Sequence, residues 1–178
     1  MEKKYKPATN KSLARRIAFA AMFTSLALVL SITENYIPIY AIIPVPGIKL
    51  GLANIVTVFA IVTLKPVDTL FIIVARCLVM GLFTGPVSFL FSITGGITAY
   101  IVMIILIPGL SKIFSVVGIS IAGAAAHNIG QIMVAVILLK DIRIMLFYLP
   151  VLLFVSLFTG AITGVAAIPV IKNIKKVV

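Results

Sequence analysis

Apolar runs of about twenty residues recur along this chain. A helix of that length matches the ~30 Å hydrocarbon core of a bilayer, whereas barrel strands are shorter and alternate. The runs extend from about Leu13 to Thr33, Ile48 to Leu64, Thr69 to Phe83, Val87 to Ile107, Ile113 to Leu139 and Ile144 to Ile171. Most are separated by short turns, such as Lys65-Pro66-Val67-Asp68, Thr84-Gly85-Pro86 and Lys140-Asp141-Ile142-Arg143. The run from Ile113 exceeds one upright span, so its first turn is expected in the interface or the helix to tilt. Only 11% of the residues are charged, against about a quarter in a soluble domain. The pattern predicts an all-α integral membrane protein, a six-helix transmembrane bundle over residues 13–171. Residues 1–12 and 172–178 are read as polar tails. The first run has no small-residue cleavage site after it and is expected to remain as a helix.

The net charge of +11 raises the question of nucleic acid, and its distribution answers it. With six spans, Lys3, Lys4, Lys6, Lys11, Arg15, Arg16, Lys65, Lys112, Lys172, Lys175 and Lys176 fall on one side. Lys49, Lys140 and Arg143 fall on the other. The basic side is expected to face the cytoplasm, which places both termini there and makes the chain multi-pass in a bacterial cytoplasmic membrane. No nucleic-acid partner is implied; membrane lipid is.

Between the first two runs lies Glu34-Asn35-Tyr36-Ile37-Pro38, continuing to Pro44-Val45-Pro46-Gly47-Ile48-Lys49. Pro44 and Pro46 fix φ and remove donors, so this segment is not helical. Its apolar character suggests an ordered cap at the outer membrane surface, with Glu34, Asn35, Tyr36 and Lys49 as lid and rim.

A few polar residues stand inside the apolar runs: Asn54, Arg76, His127, Asn128 and Gln131. A charge at mid-membrane costs about 2.5–3.5 kcal/mol on insertion scales, so Arg76 is expected to face the bundle interior with a partner. Asp68 lies eight residues away, roughly 12 Å along a helix, which is too far for a direct pair. Helix-locking contacts to carbonyls and a bound anion both remain open for Arg76. His127 and Gln131, four apart, share a helix face. They serve either as an interhelical contact or, with Asn128, as the lining of a polar cavity. Gly95, Gly96, Gly123 and Gly130 leave room for a ligand or for close backbone approach. Tyr36, Tyr40, Tyr100 and Tyr148 offer surfaces for a flat ring. One histidine and one cysteine fall short of the three or four ligands of a zinc site, so no metal is expected.

Enzyme chemistry is poorly served. The four acids, Glu2, Glu34, Asp68 and Asp141, are unpaired, and no phosphate-binding loop, dinucleotide fingerprint or nucleophile elbow occurs. The chain is read as not an enzyme, with no cofactor. On the first helix Ala14/Ala18 and Ala21/Ser25 are four apart, spacings that let another helix approach closely. The partner is either another helix of the bundle or a separate subunit.

Several stretches carry a family resemblance: Glu34 with Ile37-Pro38, the run Pro44 to Val56, Arg76, Leu90 to Gly96, Ala126-His127-Asn128-Ile129-Gly130-Gln131 and Tyr148-Leu149-Pro150. Over almost its full length the chain resembles the heptaprenyl diphosphate synthase component I family, also called the Gx transporter family. That family is similar to the substrate-binding (S) components of energy-coupling factor (ECF) transporters. The resemblance implies a six-helix protein that captures a small, vitamin-like solute. It implies docking through Ala14, Ala18, Ala21 and Ser25 onto a transmembrane coupling subunit that carries two ATPase subunits. Glu34, Asn35, Tyr36, Lys49, Asn54, Arg76, His127, Asn128 and Gln131 would bind the solute, which the basic residues suggest is anionic or amphipathic. The alternative is a non-catalytic membrane subunit of a prenyl diphosphate synthase. Catalysis itself would need clustered aspartates for Mg²⁺-diphosphate, and Asp68 and Asp141 are isolated.

Overall fold

The computed structural model describes residues 13–37, 51–107 and 115–177. Lys49, Tyr40, the Pro44–Pro46 cap and the tail 1–12 lie outside the described residues. Six helices and no strand occur among the described residues: α1 Leu13–Asn35, α2 Asn54–Thr63, α3 Pro66–Thr84, α4 Pro86–Leu106, α5 Val116–Leu139 and α6 Arg143–Val177.

Local chemistry sets several boundaries. Pro66 and Pro86 open α3 and α4 at positions where a missing N–H has no cost. Between them Gly85 turns the chain with φ 87°, a conformation that favours glycine. Ser115 caps α5, its Oγ accepting the Gly118 N–H at 3.0 Å. Lys140, in the left-handed region at φ 52° and ψ 33°, ends that helix. The last helix continues past the expected end near Ile171 to Val177, so the segment 172–177 extends α6.

Five helices, α1 and α3 to α6, are long and apolar enough to cross a membrane. The second expected span, Ile48 to Leu64, is described only from Gly51 onward, where its helix is α2. Its ten residues rise about 15 Å, half a bilayer core, and the expected segment from Ile48 begins outside the described residues. Nine of the ten are buried. The helix touches each of the other five, which form an arc in the order α1, α3, α4, α5, α6. A short helix with no lipid-facing side is thus the axis of the bundle.

Hydrogen bonds fix how the arc is stacked. Arg16 grips Asp68 from two nitrogens, Nε to Oδ2 at 3.1 Å and Nη2 to Oδ1 at 2.6 Å, which sets the starts of α1 and α3 side by side. The Tyr100 hydroxyl, late in α4, donates to the Pro66 carbonyl at 2.9 Å. Thr98 Oγ1 donates to the Ala126 carbonyl at 3.0 Å. Ser120 and Thr163 share a hydroxyl contact at 2.6 Å between α5 and α6. Glycines admit the closest approaches. Gly123 is filled by the Met103 side chain, Gly130 by Thr98 Oγ1, and Gly160 by the backbone of Ile121. Gly123 and Gly130 therefore serve helix packing rather than a ligand space.

The outer surface is apolar. Leu82 and Phe83 are more than three-quarters exposed, and Val67, Phe71, Ile137, Leu146 and Phe147 more than half. The polar Ser31, Glu34, Asn54, Arg76, His127, Asn128, Gln131 and Thr163 are instead buried. Apolar outside and polar inside is the arrangement lipid solvent imposes, and with the helix lengths it makes this a multi-pass membrane protein.

Candidate functional site

The interior polar residues gather where α2, α3, α4 and α5 meet. Gly51 precedes α2 with φ 81°, and its N–H donates to the Glu34 carboxylate at the end of α1. The bare α-carbon of Gly51 faces two polar side chains. A methyl group there would stand 2.7 Å from Asn54 Nδ2 and 3.2 Å from His127 Cδ2. On the far side of the same imidazole is Gly95, where a methyl would come within 2.7 Å of His127 Cε1 and 2.8 Å of Nδ1. His127 is thus wedged between two glycines from different elements. One residue on, a methyl at Gly96 would lie 3.3 Å from Arg76 Nη2 and 2.9 Å from Ile73 Cγ2. Asn54, His127 and Arg76 therefore form one layer across the bundle, with Gly95-Gly96 as its spacer.

Hydrogen bonding within the layer is incomplete. Gln131 Nε2 lies 3.0 Å from His127 Nε2. Arg76 is 5% exposed, and its Nε and Nη2 are buried without a hydrogen-bond partner among the described residues. Both polar atoms of the Asn54 side chain are in the same condition. An unpaired buried guanidinium is among the costliest groups a protein can hold. Helix carbonyls do not satisfy it at those two atoms.

Of the sequence-derived site residues, Asn54, Arg76, His127 and Gln131 are brought together. Glu34 is 3% exposed and joins them through the Gly51 N–H. Asn128 is directed to α6 instead, its Nδ2 donating to the Leu152 carbonyl at 3.0 Å. Asn35 and Tyr36 are exposed, Tyr36 at 84%. Lys49 lies outside the described residues. Gly51 and the Gly95-Gly96 pair are the members whose role the sequence left undefined. Their signal was adjacency to polar positions, which becomes meaningful only once three helices are superposed.

The small-residue face of α1 is separate from this layer. Ala14, Ala18, Ala21 and Ser25 follow one stripe and are all exposed. Ser25 Oγ is occupied by the Ala21 carbonyl at 3.0 Å, so the stripe offers a flat surface. The buried residues Ala20, Phe23, Ala27, Ser31 and Glu34 lie on the opposite side of the helix. A groove of about 480 Å³ opens beside the stripe, between α1 and α3, lined by Leu13, Ile17, Ala20, Ala21, Val67 and Phe71, with the Arg16–Asp68 pair. Its α3 residues lie roughly one and a half to two and a half turns before Arg76, at the helix ends, and it shares no lining residue with the buried layer. Among the described residues no group of three or more His, Cys, Asp or Glu is placed to hold a metal.

A family model described as heptaprenyl diphosphate synthase component I matches residues 23–169. No curated protein and no solved structure matches the chain.

Proposed function

The chain belongs to the heptaprenyl diphosphate synthase component I family, a name that denotes a non-catalytic subunit, and from that premise we propose that it is the solute-binding membrane subunit, or S component, of an ECF-type importer. The observation that carries the proposal is Arg76. A buried guanidinium with two unmet nitrogens, beside an equally unmet Asn54, is a binding site rather than a structural lock. The solute is small and anionic or amphipathic, and Asn54, Arg76, His127 and Gln131 hold it. The exposed stripe Ala14, Ala18, Ala21 and Ser25 receives a coupling transmembrane subunit with its two ATPases. The basic end of the bundle, with Arg15, Arg16 and Lys65, faces the cytoplasm. Release follows from a lower solute affinity in the docked state than in the free state.

The family's name favours a second reading, in which the same stripe docks a catalytic prenyl diphosphate synthase chain. Gentle detergent extraction of a tagged protein from its native host, followed by mass spectrometry, separates the two. Co-elution of a coupling subunit and ATPases supports the importer. Co-elution of a soluble synthase chain without ATPases replaces it with the synthase reading.

A further inference from the structure

The unmet nitrogens of Arg76 are Nε and Nη2. These two form one edge of the guanidinium, with parallel N–H bonds. The same chain shows what that edge does when satisfied. Arg16 presents its Nε and Nη2 to the two oxygens of Asp68 at 3.1 and 2.6 Å, a bidentate clasp on a carboxylate. Resting on the solute-binding reading above, we infer that the Arg76 Nε–Nη2 edge clasps the carboxylate of a monoanionic ligand in the way Arg16 clasps Asp68.

The fork geometry and the local charge favour a single carboxylate. The His127 ring is engaged with Gln131 at 3.0 Å. Glu34 is engaged with Gly51. The other described cations, Arg15, Arg16, Lys65, Lys140, Arg143, Lys172, Lys175 and Lys176, stand at or near helix ends. Among the described residues Arg76 is the cation at this level, and the Glu34 carboxylate is already buried on the Gly51 side of the layer, so a ligand of low charge suits the site. A phosphate, with up to two charges and three acceptor oxygens, would bring an excess into a low-dielectric interior. Ile73, Cys77 and Met80 on α3 are buried near the same level, so the body attached to the carboxylate is apolar. Asn54, with a donor and an acceptor both unmet, meets a neutral polar group on that body.

Nitrogen-15 NMR of the arginine Nε–H groups, on the full chain in detergent, tests this with benzoate as the probe. Benzamide and inorganic phosphate are the controls. The expected result is a saturable downfield shift of one Nε–H signal by benzoate alone, the signal that is missing in Arg76→Lys. Arg76→Lys keeps the charge but loses the fork and should weaken benzoate binding about tenfold or more. If that variant does not fold, Gly96→Ala is the second one. Its methyl falls 3.3 Å from Nη2, crowds the edge without changing the arginine, and should also weaken binding. No shift with benzoate, an equal shift with benzamide, a shift with phosphate instead, or a benzoate response that survives both variants overturns the inference. The co-purification result is independent of all of these, so the importer reading and the carboxylate clasp fail separately.

Discussion

The Glu34 carboxylate accepts the backbone N–H of Gly51, seventeen residues later in the chain. Glu34 closes α1, the helix that carries the exposed small-residue stripe, and Gly51 backs onto Asn54 and His127. One hydrogen bond therefore joins the outward-facing helix to the buried polar layer. Glu34→Ala leaves the Gly51 N–H unmet and should cost about 1–3 kcal/mol. Glu34→Gln keeps an acceptor oxygen and should cost less. Thermal unfolding of both variants in one detergent checks the order. Equal loss in the two would mean that the charge, and not the acceptor, is what matters.

Ala18 is exposed on α1, in the middle of its stripe. Ala18→Leu adds bulk on an exposed face, so the fold should be little affected. Under the importer reading it blocks docking of the coupling subunit and leaves solute binding intact. Pull-down with the native membrane fraction measures this, and undiminished complex formation would move the interface elsewhere.

Gly95 and Gly51 hold the His127 ring from two sides. Gly95→Ala brings a methyl to 2.7 Å from Cε1, a contact the ring has to yield to, and overpacking of this kind costs about 1–3 kcal/mol. The expected outcome is a lower unfolding temperature together with a shifted imidazole NMR signal. An unchanged imidazole signal would show that α4, rather than the ring, has moved.

Asn128 ties α5 to α6 through the Leu152 carbonyl. Interhelical hydrogen bonds in bilayers average about 0.6 kcal/mol, so Asn128→Leu should lower stability by that order while retaining the fold. Loss of folded protein on purification would assign it a larger role.

The Asp141 carboxyl, in the connection before α6, is held below the usual aspartate range by hydrogen bonds from the Arg143 side chain and backbone. A lowered folded pKa means the contact is fully present above the unfolded value, near 3.9, and is lost as pH falls through the lower folded one. Carbon-13 titration should place Asp141 below a model aspartate, and Arg143→Ala should return it toward the ordinary value. A normal titration in the parent chain would show that the pair is open in solution.

The sequence by itself determined the class of fold. Runs of apolar residues at bilayer length, few charges and proline or glycine at the turns impose membrane helices, because backbone polar groups in lipid must be satisfied within a helix. Four of the nine site residues named from sequence, Asn54, Arg76, His127 and Gln131, meet in one layer, because a polar residue inside such a run has to turn inward. What the sequence could not separate was burial from lipid exposure along α2. Its apolar run reads as a span, but only packing against all five neighbours reveals a short central helix. Tertiary structure alone decided which polar groups are satisfied. Asp68 goes to Arg16, the Asn128 amide nitrogen to Leu152 and Glu34 to Gly51, while Arg76, Asn54 and the Asn128 amide oxygen keep unmet atoms. Hydrogen bonds between helices depend on rotation and depth, which a linear pattern of residue types does not encode.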